Sequence, residues 1–310
     1  MRVLLANSPE FTVTDDTVGA LAQRHPSYEF VVEGTPSDVP GYEVMVGWPA
    51  PDRLQDARLR WVQIPSVGID RYLPEGFPDH VSVTNGRGVF SQAIAEHALA
   101  LLLGLTREIK RHSLQTERRQ WHKIPGAIEL AGSRVLVVGT GEIGRAFART
   151  IRGFDCTVVG ASRSGRPQPE FGEVIRSTEV GAIVAGFDVV VLALPRTSST
   201  RGLWSRELIG AMKPGSYLVN VGRGDSVDEP ALISGLQSGR IAGAGLDVTE
   251  HEPLPTGSPL WGEANVIISS HSSGFTPNRM ANFLELLDDN LARFESGDGL
   301  RNIVDPSLGY

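Results

Sequence analysis

Three side chains of complementary chemistry each follow an apolar run in the second half of the chain. Arg223 comes directly after Tyr217-Leu218-Val219-Asn220-Val221-Gly222, Glu252 follows the run ending at Asp247-Val248, and His271 follows Val266-Ile267-Ile268-Ser269-Ser270. Each run reads as a strand, and in open parallel α/β sheets ligands gather beyond the carboxyl ends of strands. An arginine keeps its charge and offers a planar fork that can hold a carboxylate and polarise a carbonyl. A histidine titrates where it can hand a proton to an oxygen that is becoming an alkoxide. A carboxylate beside that histidine orients the ring and favours imidazolium. Together they are the set that hydride reduction of a 2-oxo acid requires.

The other histidines carry weaker signals. His25, His80 and His112 lie in polar surroundings, His97 reads as a helix residue at a packing boundary, and neither His122 nor His251 directly follows a strand. No His, Cys, Asp or Glu spacing resembles a zinc or iron site, so no metal is expected. The single cysteine, Cys156, precludes an intrachain disulfide and fits a reducing cytoplasm. At the start of the apolar run Thr157-Val158-Val159 it reads as a buried structural thiol.

Hydride needs a donor, and the chain has a place for one. Val135-Leu136-Val137-Val138 runs into Gly139-Thr140-Gly141-Glu142-Ile143-Gly144, followed by a helical pattern. Strand, G-x-G-x-x-G turn and helix are the fingerprint of a dinucleotide pyrophosphate site: a tight turn at Gly139, backbone approach at Gly141, close helix–strand packing at Gly144, and an anion at the helix N-terminus.

The elements that would position these groups follow an alternating β–α rhythm. In the first part, 3–6, 29–32, 44–46, 61–63 and 81–84 read as strands and 15–24 as a helix. Three loops there, Gly47-Trp48-Pro49, Ser66-Val67-Gly68-Ile69-Asp70 and Asn85-Gly86-Arg87-Gly88-Val89, lie after strands and are pocket candidates. Residues 91–105 are helical and apolar nearly all round, which predicts burial, with a place between domains. The basic stretch from Arg107 to Lys123 is mixed with Glu108 and Glu117 and reads as a solvated or subunit-facing helix. Beyond the fingerprint, 157–160, 189–194, 217–221, 242–248 and 266–269 read as further strands. A last helix is expected from Thr276 as N-cap with Pro277 at its first position. Met280, Phe283, Leu284, Leu287, Leu291 and Phe294 would form its apolar face, and Gly297 would end it. Lying beyond the last strand, that helix should return to pack on the first domain. At 310 residues and a net charge of −7, the chain suits two α/β domains and argues against a nucleic-acid partner. Its N-terminus reads as a strand and not a signal peptide, and the apolar run 98–105 is too short to span a bilayer, so no membrane partner is expected.

The ordered series Asn220-Val221-Gly222-Arg223-Gly224, Gly243-Ala244-Gly245-Leu246-Asp247-Val248, Glu252-Pro253-Leu254-Pro255 and His271 resembles the signatures of the D-isomer-specific 2-hydroxyacid dehydrogenases. The likeness spans essentially the whole chain. It implies two Rossmann-like doubly wound parallel-sheet domains: a flavodoxin-like substrate domain of residues 1–95 plus 275–310, and an inserted dinucleotide-binding domain of residues 96–274, usually paired as a homodimer. It implies Arg223 as substrate anchor, His271 as acid/base and Glu252 as its partner, with substrate also met at Trp48, Val67 and Gly68. The implied cofactor set is Gly139, Gly141, Glu142, Ile143, Gly144, Ser162, Arg163, Ser164, Leu194, Pro195, Thr200, Val221, Gly222 and Asp247. Gly47-Trp48-Pro49 and the closing Arg301-Asn302-Ile303-Val304-Asp305-Pro306 look most like the glyoxylate/hydroxypyruvate reductase branch.

Two departures from the family pattern matter. Ser269-Ser270-His271 stands where Thr-Pro-His is commoner, which leaves the histidine intact but changes the wall beside it. After the second strand of the nucleotide domain, Ser162-Arg163-Ser164 stands where NAD-using relatives place a carboxylate for the ribose. Loss of that carboxylate removes repulsion of a 2′-phosphate and Arg163 can pair with it, so NADP(H) is the expected cofactor, with NAD(H) possible. The expectation is an NADP(H)-preferring reductase of small 2-oxo acids. The rival readings are an NAD-linked dehydrogenase for a larger 2-hydroxy acid and a catalytically quiet, NAD(P)-sensing corepressor-like protein. Glu252, where formate dehydrogenases carry glutamine, argues against that activity, while phosphite oxidation stays open.

Overall fold

The computed structural model of the chain describes residues 1–8, 11–33, 41–49, 54–72 and 77–305. Pro306, part of the closing motif, lies outside them. The chain divides into two compact units, Met1–Phe90 with Pro277–Tyr310, and Ser91–Thr276.

The first unit is a parallel sheet of five strands: β1 (Arg2–Ala6), β2 (Glu29–Glu33), β3 (Val44–Val46), β4 (Trp61–Gln63) and β5 (Ser82–Thr84). Their spatial order is β2-β1-β3-β4-β5, the flavodoxin arrangement. Val3, Leu4 and Leu5 are all fully buried, which is why β1 reads as a continuous apolar run: a parallel strand is covered on both faces. Helix α1 (Asp15–Arg24) is capped by Thr14, whose side chain accepts the Thr17 N–H.

The chain returns to this unit at its end. Helix α8 (Arg279–Ser296) buries Phe283, Leu287 and Leu291 against Val3, Leu5, Phe11 and Trp61. It begins two residues later than the Thr276-Pro277 pattern implies. The backbone first makes tight turns, Phe275 N–H to Ser272 O and Thr276 N–H to Gly274 O, and Asn278, not Thr276, occupies the cap position. Gly297 ends the helix in the left-handed conformation at φ 78°.

The second unit is a parallel sheet of seven strands: β6 (Arg134–Val138), β7 (Thr157–Ser162), β8 (Glu173–Arg176), β9 (Val189–Leu192), β10 (Ser216–Asn220), β11 (Ile241–Leu246) and β12 (Val266–Ile268). The order β12-β11-β10-β9-β6-β7-β8 reverses direction at β6, so a switch point lies between β6 and β9. Strand β8 was not legible in the sequence. Its four residues begin and end with charge, and its strand character comes from pairing with β7 at the sheet edge. Helix α2 (Ser91–Thr106) buries half of its residues and packs on α4 (Glu142–Ile151) and on β10, β11 and β12. Helix α3 (Ile109–Glu117) follows with none of its residues buried, and the shorter helices α5 (Val180–Ile183), α6 (Arg206–Ala211) and α7 (Glu229–Gln237) come later in this unit. Cys156 is half-buried just before β7, its thiol donating to Leu130 O at 3.1 Å, and burial pushes its pKa up. No helix among the described residues is long and apolar enough to cross a membrane.

Candidate active site

The glycine fingerprint sits at the end of β6, at the switch point. Gly139 has φ 106°, and a Cβ there would stand 2.4 Å from Ala193 O. A Cβ on Gly144 would lie 1.9 Å from Gly139 O, so only glycine lets α4 approach the turn this closely. At Gly141 the opposite holds: a Cβ would meet nothing within 4 Å, and no side chain caps the first turn of α4, which contains Glu142 and Ile143. An open approach onto uncapped N–H groups fits a pyrophosphate.

Arg223 follows β10 between two glycines, each forced by a close contact. A Cβ on Gly222 would be 2.6 Å from the backbone of Leu194, and one on Gly224 would be 1.9 Å from the carbonyl of Thr249. The loops after β9, β10 and β11 are thus pressed together. Asn220, buried at the end of β10, accepts the Gly222 N–H and donates its amide to Arg223 O, and Ser226 donates to the same carbonyl at 2.6 Å. Arg223 itself donates from its guanidinium to Gly222 O at 2.8 Å.

Glu252 and His271 come from the loops after β11 and β12. His271 Nδ1 lies 2.8 Å from Glu252 Oε2, and the other carboxylate oxygen accepts the Thr249 N–H at 3.2 Å. The hydrogen bond that His271 donates to Glu252 raises the His271 pKa, against the lowering effects of burial and Arg223. Burial pushes Glu252 up, but its bond to His271 and the nearby imidazole charge outweigh this and hold it below its ordinary value. With Nδ1 engaged, Nε2 is the nitrogen that can exchange a proton with a substrate oxygen. His271 is held at φ 50°, a left-handed conformation that costs a non-glycine residue about 1–2 kcal/mol.

Asp247, directly after β11, is 1% exposed. Burial alone would raise its pKa, yet bonds from Ser273, Ser269 and Ser272 and the charge of His97 leave it lowered, hence ionised.

The remaining expected cofactor residues line loops of this unit. Ser162 ends β7, its hydroxyl accepting the Gly165 N–H, while Ser164 accepts the Arg166 N–H. Arg163 is exposed between them. Behind this loop Glu170 binds both Arg145 and Arg149 of α4, at 2.9 and 3.0 Å. Leu194 and Pro195 are half-buried after β9, and Thr200 folds their loop by donating to Pro195 O at 2.7 Å. Val221 is buried, its N–H bonded to Leu192 O.

In the first unit, the loop after β4 carries Val67 and Gly68. Ser66 donates to Gly68 O, Asn85 donates to Val67 O, and the Trp48 indole donates to Ser66 Oγ at 3.3 Å. Asn302 near the chain's end donates to Asn85 O, so the brace on this loop draws on three other segments, at Trp48, Asn85 and Asn302. Sequence reasoning named the loops but not the roles of Asn85 and Asn302, whose bonds link positions 217 apart. Among the described residues, no group of three or more His, Cys, Asp or Glu could hold a metal ion.

Residues 99–273 match the family described as D-isomer specific 2-hydroxyacid dehydrogenase, NAD binding domain. The chain belongs to the D-isomer-specific 2-hydroxyacid dehydrogenases. It is 35% identical over 252 residues to a glyoxylate reductase from Pyrococcus furiosus, covering 78% of this chain and 74% of that one. Among solved structures, a family member from Xanthobacter autotrophicus in complex with NADPH and MES superposes with a TM-score of 0.84 at 30% identity, covering 99% of both chains. An NADPH-dependent glyoxylate/hydroxypyruvate reductase from Sinorhizobium meliloti, in complex with NADP and sulfate, gives 0.83 at 28% identity, covering 100% of this chain and 99% of that one. The protein is accordingly an oxidoreductase of 2-hydroxy acids that uses a nicotinamide cofactor, and its likeness runs to the glyoxylate/hydroxypyruvate reductase branch.

Proposed function

We propose that this dehydrogenase is an NADP(H)-preferring reductase of small 2-oxo acids of the glyoxylate/hydroxypyruvate type. The observation that carries the reading is the 2.8 Å pair of His271 and Glu252, with Arg223 on a neighbouring strand end of the same sheet. The bound nicotinamide supplies the hydride. Arg223 holds the substrate carboxylate and draws electron density from the carbonyl oxygen. His271 delivers the proton from Nε2 to that oxygen, and Glu252 stabilises the imidazolium before transfer and orients the ring. In the reverse direction His271 takes the proton back. Trp48 and the backbone of Val67 and Gly68 contribute to substrate binding.

Gly139, Gly141 and Gly144, with Glu142 and Ile143, would hold the pyrophosphate at α4. Leu194, Pro195, Thr200, Val221, Gly222 and Asp247 would line the rest of the cofactor site. Ser162 and Ser164 would meet the adenosine end, with Arg163 pairing a 2′-phosphate. The NADPH and NADP ligands of the two structural relatives support this preference.

The test is parallel NADPH and NADH oxidation with glyoxylate, hydroxypyruvate, pyruvate and a branched 2-oxo acid. Fast turnover biased to NADPH and to the smaller acids is expected. Tight cofactor binding without turnover on any acid would overturn the reading in favour of a sensing role.

We also propose a homodimer. Trp121 is 97% exposed and Ile109 is 52% exposed on a segment that includes the unburied helix α3, and a second copy would cover them. Sedimentation should give a dimer for the native chain and dissociation for Trp121→Ser, and a monomeric native chain would refute the assignment.

A further inference from the structure

The segment that carries His271 is wound around one buried side chain. Asp247 Oδ1 accepts the Ser269 hydroxyl at 2.7 Å and the Ser272 N–H at 3.0 Å, and Oδ2 accepts the Ser273 N–H at 3.3 Å. The backbone carbonyl of Asp247 accepts the N–H of His271 itself at 2.8 Å. These bonds account for the left-handed backbone at His271, a conformation that persists only where the surroundings over-determine it.

A further residue reaches this arrangement from α2. His97 Nε2 lies 2.7 Å from Ser269 Oγ and 3.6 Å from Asp247 Oδ1. Ser269 has one hydroxyl proton, and an ionised carboxylate can only accept. That proton therefore goes to Asp247, and the serine lone pair must receive its bond from His97. The histidine carries a proton on Nε2. Its ring is thus a donor that completes the coordination of Ser269, in the serine that stands where the family more often has threonine.

We propose that His97 is a positioning residue for His271, acting through Ser269 and Asp247 to hold the loop after β12 so that the His271 ring meets Glu252. The proposal rests on His271 being the acid/base. It does not depend on which 2-oxo acid is used.

The test compares His97→Leu, which removes the donor, with His97→Gln, which places an amide N–H at similar reach, and Ser269→Ala with Ser269→Thr. Three quantities are read: kcat, the Kd for NADPH by fluorescence, and the titration of the His271 ring followed by carbon-13 NMR. His271 faces Glu252, Arg223 and Asp247, all of which remain in every variant. Loss of one hydrogen bond predicts a fall in kcat of roughly fivefold for His97→Leu and Ser269→Ala. The Kd for NADPH should not change, and the His271 titration should move to lower pH as its alignment with Glu252 loosens. His97→Gln and Ser269→Thr should restore both.

Native kcat and an unmoved His271 titration in His97→Leu would overturn the proposal. So would a His97→Gln variant that regains thermal stability without regaining kcat, since that marks a merely structural side chain. If His97→Leu does not fold, the serine pair decides by the same criteria. If the native protein turns over no 2-oxo acid, the functional reading fails separately. The NMR titration then still decides, a shift in His97→Leu that His97→Gln reverses supporting the positioning role and no shift refuting it.

Discussion

Replacing Glu252 by glutamine keeps the shape of the side chain and removes its charge from the site. Oε1 can still accept the Thr249 N–H, but the group 2.8 Å from His271 Nδ1 no longer stabilises an imidazolium. The Glu252 hydrogen bond is the largest influence on the ring and raises its pKa, while burial and then Arg223 lower it. Without the carboxylate the lowering influences dominate. The sign follows directly. Reduction uses the protonated ring, so its rate is full below the ring's pKa and lost as pH rises through it, and in Glu252→Gln that loss arrives at lower pH. A hydrogen bond to a charged group contributes about 1.5–3 kcal/mol. Both side chains are partly exposed, at 51% and 39%, so screening places this one at the lower end, near 1.5 kcal/mol. That corresponds to roughly a tenfold fall in kcat at neutral pH. The assay is NADPH oxidation with saturating 2-oxo acid across the neutral range, paired with NADPH binding, which should not change. An unchanged kcat with an unmoved pH profile would show that Glu252 neither charges nor orients His271.

Three further outcomes are expected. His271→Ala should lower kcat about a hundredfold or more while NADPH still binds, and lost cofactor binding would instead make His271 structural. Arg163→Ala should raise the KM for NADPH by about tenfold and leave that for NADH nearly unchanged, the exposed site limiting the effect, and equal changes would refute the 2′-phosphate assignment. Leu287→Ala, at a fully buried position on α8, should destabilise the protein by about 2–5 kcal/mol. Its thermal unfolding temperature should fall accordingly, and a retained Tm would mean that α8 does not anchor the first unit's core.

Much of this protein was legible in its sequence because its signals are local. Parallel strands buried on both faces are short continuous apolar runs, so β1, β6 and β9 stand out without reference to anything distant. The fingerprint glycines are legible for the same reason, since a tight turn and a close helix–strand contact are made within six residues of chain. Arg223, Glu252 and His271 could be nominated because strand ends in a parallel sheet share one side, whatever the strand order.

The rest depended on tertiary structure. The grammar of a helix start at Thr276-Pro277 is sound locally, yet the chain spends those residues on turns and α8 opens at Arg279. Strand β8 exists because β7 offers it an edge. His97 was legible only as a helix residue at a packing boundary. Its partner Ser269 is 172 residues away, and no local pattern specifies a bond whose geometry is set by how α2 lies against β11 and β12. Amino-acid order determined which groups could do chemistry. The fold decided which distant side chains hold them still, because hydrogen bonds have a reach of about 3 Å and only packing brings such residues within it.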